Sequence, residues 1–238
     1  MNKLALLLSA AFVLSACKGE DPQAAAAAQA AAKEQAAAPV LQQYEAAVAG
    51  QQWELARAHA DALQWQHKGT QAAAKAMENY EEIRAKAEAA REERRLAGLW
   101  RYDDVVVKDA GTQKTASIYA KDRVDVDGSG DKPVRLIFRD HPEWGRSAYL
   151  VLEAGDFRCP GGCKVQVKAD GVAAKAMAAT RPNTDEAIAM FIEDERALWR
   201  LARKSKTISI EFPVKAGGTR SAAFEVGGLD GASLPGWD

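Results

Sequence analysis

The chain has no excess of charge, almost no cysteine and no catalytic signature. Its 32 Lys and Arg stand against 33 Asp and Glu, a formal net charge of −1. That balance leaves no electrostatic footprint for nucleic acid or an anionic surface, so no nucleic-acid partner is expected. After Leu14 no apolar run approaches the ~20 residues that a membrane-spanning helix needs. Gly-x-Ser-x-Gly, His-Glu-x-x-His and a glycine-rich phosphate loop with Lys are all missing, which lowers the expectation of an enzyme without removing it. The paired carboxylates Asp103 and Asp104 are adjacent in a strand-like stretch, and neighbours along a strand point to opposite faces. Only three cysteines occur, Cys17, Cys159 and Cys163.

What is present begins at the first residues. Lys3 gives a short positive start, Leu4 to Leu14 is almost unbroken apolar sequence, and Leu14-Ser15-Ala16-Cys17 closes it. The run is too short to span a bilayer and has the layout of a removable signal. These residues resemble the bacterial lipoprotein signal, whose lipobox ends in a cysteine that is lipidated and becomes the mature N-terminus. The resemblance implies a signal peptide over 1–16, lipidation of Cys17, and membrane attachment through acyl chains alone. Lys18 stands where an Asp would signal inner-membrane retention in the lipoprotein sorting system, so the expected location is the bacterial cell envelope, at the outer membrane facing the periplasm. With Cys17 consumed, Cys159 and Cys163 form an even pair in a compartment that permits disulfides.

From Pro22 to Pro39 the composition collapses to Ala and Gln with one Lys-Glu pair. Helix propensity is high but nothing large is there to bury, so helix and disordered chain stay close in free energy. Residues 17–38 are read as a tether. A helical block over 39–98 follows, with Pro39 placed to start a helix. Leu41, Tyr44 and Val48 make one stripe; Trp53, Ala56, Ala60 and Leu63 make a second; a third helix from Gln71 to Leu96 carries Ala76, Tyr80, Ile83, Ala87 and Ala90. The stretch Tyr44 to Leu63, with Gly50, Trp53 and Ala56, is similar to part of a tetratricopeptide repeat, although a solenoid needs about three repeats to bury its core. A self-packed hairpin and an alanine-rich coiled coil are the alternatives.

Near Leu99 the hydrophobic period changes from 3.6 to 2. Strand candidates follow at Trp100 to Val107, Ala116 to Ala120, Val134 to Phe138, Ala148 to Leu152, Lys164 to Val167, Ala187 to Ile192, Ile208 to Phe212 and Ala222 to Val226. One helix, Asp194 to Lys204, presents Leu198, Trp199 and Leu201 inward. The fold class is therefore α+β: an N-terminal helical hairpin or stalk, then a mainly antiparallel β domain with one helix over 99–238. Its core is expected to include Trp100, Ile118, Leu136, Phe138, Leu150, Phe191, Trp199, Ile208, Ile210 and Phe224.

Three loops carry candidate chemistry. In Cys159-Pro160-Gly161-Gly162-Cys163, proline fixes one torsion and the glycines admit positive φ, so the chain can reverse and join the two sulfurs. A structural disulfide is expected there; a copper site with His141 lacks a second His or Met ligands. Asp125 to Asp131 begins like a calcium loop, but its twelfth position is Leu136 where a bidentate Glu belongs, so an acidic hairpin loop is expected and no metal. His141-Pro142-Glu143-Trp144-Gly145 admits two readings: a partner-recognition patch built on His141, Glu143 and Trp144, or a turn whose Trp144 folds back over the sheet edge. His59 and His67 read as partly exposed helix residues.

The segment from Trp100 to Leu229 resembles an uncharacterised domain of bacterial envelope proteins. The resemblance is carried by Leu136-Ile137-Phe138-Arg139 with His141-Pro142 and Gly145, by Cys159 and Cys163, by Phe191-Ile192-Glu193-Asp194, and by Phe224-Glu225-Val226 before Gly228-Leu229. It implies no activity and no cofactor. The expected function is a lipid-anchored, non-catalytic binding or accessory module whose partner is an envelope protein or the cell wall. The alternatives are an envelope hydrolase using scattered acids such as Asp140, Glu143 and Asp156, and an inhibitor or immunity-type lipoprotein.

Overall fold

A computed structural model describes residues 21–184 and 187–237 of the chain; the apolar leader and Cys17 lie outside them. The chain is α+β and divides into two compact units, 1–87 and 88–238. The division falls within a helix, upstream of the period change near Leu99.

In the first unit, α1 runs from Pro22 to Ala49, capped by Asp21, whose carboxylate accepts from the Gln23 amide at 3.0 Å. Pro39 lies inside this helix rather than at its start. A mid-helix proline costs about 3 kcal/mol in a lost hydrogen bond and a ring clash. Burial of Ala37, Tyr44 and Ala47 on either side of it, with Val40 and Leu41 packed alongside, offsets that cost. Of the two states left open for the tether over 17–38, its described part takes the helical one, from Pro22 onward. Tertiary contact decides it: the Glu34 carboxylate accepts from the Gln71 and Ala72 amides at 2.9 and 3.0 Å, holding α1 against the start of the third helix.

Helix α2, Trp53–Gln66, buries Ala56, Ala60 and Leu63. The expected third helix is two: α3, Gln71–Met77, and α4, Tyr80–Ala97, separated at Glu78 and Asn79. Thr70 caps α3 through a bond from the Ala73 amide at 3.1 Å. Small residues let α1, α2 and α3 pack closely, and Lys86 lies over the Trp53 ring at 4.3 Å. Among the described residues no helix is long and apolar enough to cross a membrane.

Among its described residues the second unit is built on nine strands: β1 Trp100–Val107, β2 Gly111–Tyr119, β3 Val134–His141, β4 Gly145–Leu152, β5 Cys163–Ala169, β6 Lys175–Thr180, β7 Ala189–Ile192, β8 Ile208–Pro213 and β9 Thr219–Phe224. They form one sheet in the order β1-β2-β3-β4-β7-β6-β5-β8-β9, every neighbouring pair antiparallel. Strand β6 has no counterpart in the sequence reading, because Lys-Ala-Met-Ala-Ala-Thr has little β-branched character; its ladders with β5 and β7 and the burial of Met177 and Ala179 place it. The sheet curls until the Lys121 amide, beyond β2, donates to the Ala223 carbonyl in β9 at 2.7 Å.

Helix α5, Glu195–Lys204, is capped by Asp194, which accepts from the Ala197 amide at 3.0 Å. It lays Leu198, Trp199 and Ala202 on the inner sheet face. Phe138 is the hub there, with ring centroids at 5.1 Å to Trp199, 5.6 Å to Trp237 and 6.2 Å to Trp100. Phe191 is a correction: β7 alternates, Met190 and Ile192 point inward, and Phe191 lies on the outer face against Tyr149 at 5.1 Å.

Candidate functional site

The β3–β4 hairpin positions the candidate patch. Alternation along β3 sends Leu136 and Phe138 into the core and Arg135, Ile137, Arg139 and His141 to the outer face. The connection Pro142-Glu143-Trp144 ends at Gly145, whose φ of +70° favours glycine. His141 is 5 % exposed, and its Nδ1 accepts from the Glu143 and Trp144 amides at 3.2 and 3.3 Å. Those two donors make Nδ1 the unprotonated nitrogen and hold the ring in place. The Trp144 ring lies on the His141 ring at 4.0 Å and 8° between planes, while Trp144 remains 69 % exposed. Trp144 thus lies back on the His141 ring at the end of the hairpin and still presents its other face to solvent.

Arginines interleave with the aromatic rings across the same face. The Arg139 guanidinium is 5.5 Å from the Trp144 centroid and 5.3 Å from that of Tyr149, and its Nε donates to the Ser147 hydroxyl at 3.2 Å. Arg101 and Arg135 each lie 5.8 Å from the Tyr119 ring centroid. The ladder places Arg101, Ser117, Ile137, Tyr149 and Phe191 in one row across β1, β2, β3, β4 and β7. Ile137 is 6 % exposed although it faces outward, with Ser117 and Tyr149 opposite it on the neighbouring strands. Among the described residues no carboxylate pairs with Arg101, Arg135 or Arg139. The three cations therefore lie over π faces without a carboxylate partner among the described residues, an arrangement suited to an anionic group carried on a flat or apolar body. Periodicity alone did not flag Arg101, Arg135, Tyr119 and Tyr149; their alternation opposite the core residues was the available signal.

The acids of the hydrolase alternative do not converge. Asp140 shares the inner-face row of β3 with Phe138 and pairs with Arg146 at 3.5 Å. Glu143 is exposed in the turn. Asp156 follows the far end of β4, roughly 25 Å away for an eight-residue strand. There it accepts from the Ala187 amide at 2.8 Å and from Lys215 Nζ at 3.0 Å. Burial opposes its ionisation, but the Lys215 contact and the Ala187 amide outweigh that and hold its carboxyl below the usual range.

Cys159 and Cys163 have their sulfurs 2.13 Å apart, with Gly161 and Gly162 at φ +68° and +103° turning the chain between them. Beside them lies an open cavity of about 610 Å³ reached by Arg158, Pro160, Arg181 and Lys215. Arg181 serves structure there, donating to the Phe157 and Pro182 carbonyls at 3.0 and 3.2 Å and also to Thr184. In the acidic loop, Asp125 accepts from the Gly128 amide at 2.7 Å and Asp127 from the Ser129 amide at 2.9 Å, so both carboxylates turn onto their own loop. Among the described residues no three His, Cys, Asp or Glu stand close enough to share a metal ion. The lipidation candidate Cys17 lies outside the described residues.

No protein-family model, no curated protein and no solved structure matches the chain. The resemblance over Trp100 to Leu229 accordingly carries no family assignment.

Proposed function

We propose that the protein is a lipid-anchored component of the bacterial cell envelope, held through Cys17 at the outer membrane facing the periplasm, and that it works as a non-catalytic binding module for an envelope protein or the cell wall. The observation that carries the binding reading is the exposed Trp144 ring, stacked on a buried His141 whose Nδ1 is locked by two amides, beside Arg139. Ordering is already in place before a partner arrives, so little side-chain entropy is lost on contact. A rigid aromatic anchor flanked by an arginine without a carboxylate partner is the composition of an interface hot spot. The band from Arg101 to Trp144 suits a partner surface that presents carboxylates or phosphates next to apolar or ring-shaped groups.

The anchor and the patch are tested separately. Cys17→Ser is expected to leave the membrane fraction or to remain uncleaved; a processed, membrane-bound Cys17→Ser protein refutes the anchor. For the patch, a photo-crosslinking side chain at Glu143 of the full chain, in cells, is expected to give an adduct that is lost with Trp144→Ala and reduced about tenfold with Arg139→Gln. An adduct indifferent to both substitutions, or none at all, refutes the binding face.

A further inference from the structure

Strand β1 ends the sheet and has β2 as its single neighbour among the described residues, so one side of its backbone carries N–H and C=O groups unpaired by any of them. The beginning of the strand is covered: Trp100 is in the core, and the Asp230 amide donates to the Tyr102 hydroxyl at 2.8 Å. Beyond Tyr102 the edge is open, and it is apolar. Val105 is 51 % and Val106 81 % exposed, with Val107 beside them. Natural sheets blunt such edges with proline, bulges or edge lysines; the segment Asp103-Asp104-Val105-Val106-Val107 has no proline and no lysine, and pairs with β2 residue for residue without a bulge.

We propose that this edge is the docking surface for a second copy of the chain, joined strand to strand through β1. Two copies of one strand pair antiparallel about a twofold axis perpendicular to the sheet, so one residue must lie opposite itself. Three registers are available within the valine run. Centring on Val105 sets Asp103 and Asp104 against valines, which leaves carboxylates facing apolar groups. Centring on Val107 sets Val106 against Lys108 and Val105 against Asp109. Centring on Val106 sets Val106 against Val106, Val105 against Val107, and Asp104 against Lys108, so that apolar meets apolar and anion meets cation on both sides of the axis. Lys108 has no carboxylate partner among the described residues, and Asp104, bonded to Lys114 Nζ at 2.6 Å, keeps further acceptor capacity for it. Beyond Lys108 the pairing ends, because Asp109 turns away with φ +61°. The sequence of the open edge is thus complementary to itself in one register, which selects a second copy over an unrelated strand.

The test uses full-length chains in the envelope and a short thiol-to-thiol crosslinker. Val106→Cys sits on the axis and is expected to give a covalent dimer several-fold more abundant than Val105→Cys alone, with mixed Val105→Cys and Val107→Cys chains crosslinking to each other. Val106→Lys, at a position exposed enough to leave folding intact, places two cations on the axis and is expected to abolish the concentration-dependent dimer in sedimentation while the far-ultraviolet circular dichroism of the folded chain is unchanged. The proposal is overturned if Val106→Cys crosslinks no better than Val105→Cys, if Val106→Lys leaves the dimer fraction unaltered, or if the only adduct has the mass of a different chain, which would assign the edge to a foreign strand.

Discussion

Trp237 offers the sharpest quantitative test of how the β unit is held together. It is fully buried next to the end of the chain, with ring centroids 5.6 Å from Phe138 and 5.2 Å from Trp199 and with Arg146 at 5.9 Å from the ring. Truncating a packed Trp or Phe to Ala costs about 3–5 kcal/mol in transfer and cavity energy. The Trp237 Nε1–H, however, is buried without a partner among the described residues, and such a group carries a penalty of about 1–3 kcal/mol that the truncation relieves. Trp237→Ala is therefore expected to cost only about 2 kcal/mol, a fall in thermal midpoint of about 4–8 °C for a unit of this size. Phe138→Ala, which removes the ring touching Trp100, Trp199 and Trp237 and frees no polar group, should cost the full 3–5 kcal/mol or so. Trp237→Phe keeps a ring and removes the orphan donor, and should stay within about 1 kcal/mol of the parent. Urea unfolding followed by far-ultraviolet circular dichroism ranks the three variants. A loss for Trp237→Ala as large as that for Phe138→Ala would refute the reasoning, because the orphan N–H, which both Trp237 variants remove, would then count for nothing.

Three further outcomes follow from single sites. Gly228→Ala would place a Cβ 2.2 Å from the Ala97 nitrogen and 2.3 Å from the Leu96 carbonyl carbon, both backbone atoms that cannot swing aside; a loss of about 3 kcal/mol is expected in urea melts, and a loss below about 1 would show that the end of α4 is free to move. Because the Asp156 carboxyl is held below its usual range, its ionised form stabilises the fold at neutral pH, and that contribution disappears as pH falls through the lowered value. Asp156→Asn should accordingly melt lower than the parent near neutrality and show a shallower loss below about pH 4, whereas parallel pH profiles would contradict the assignment. Replacing Cys159 and Cys163 together by Ser opens a loop of very few residues, so chain entropy limits the loss to roughly 2 kcal/mol or less, and a much larger drop in the urea midpoint would place the effect in native packing instead.

Element types and most of the core were legible along the bare chain. Residue spacing is enough for that, since period 2 or 3.6 puts apolar groups on one side whatever they later touch. Trp100, Ile118, Leu136, Phe138, Leu150, Trp199, Ile208, Ile210 and Phe224 all proved buried for this reason. Long-range contacts settled the exceptions. Pro39 and the alanine run before it are helical because Glu34, Ala37 and Tyr44 have partners far along the chain. The β6 segment is a strand because β5 and β7 flank it. Phe191 faces outward because its register with Tyr149 is set by the neighbouring ladder. Trp237, in a glycine- and proline-rich tail without periodicity, is central to the core because the inner sheet face had room for it beside Phe138 and Trp199. The patch was legible only as the loop His141 to Trp144. Its arginines come from β1 and β3 and its rings from β2, β4 and β7, and sheet order, which no local pattern encodes, is what put them side by side.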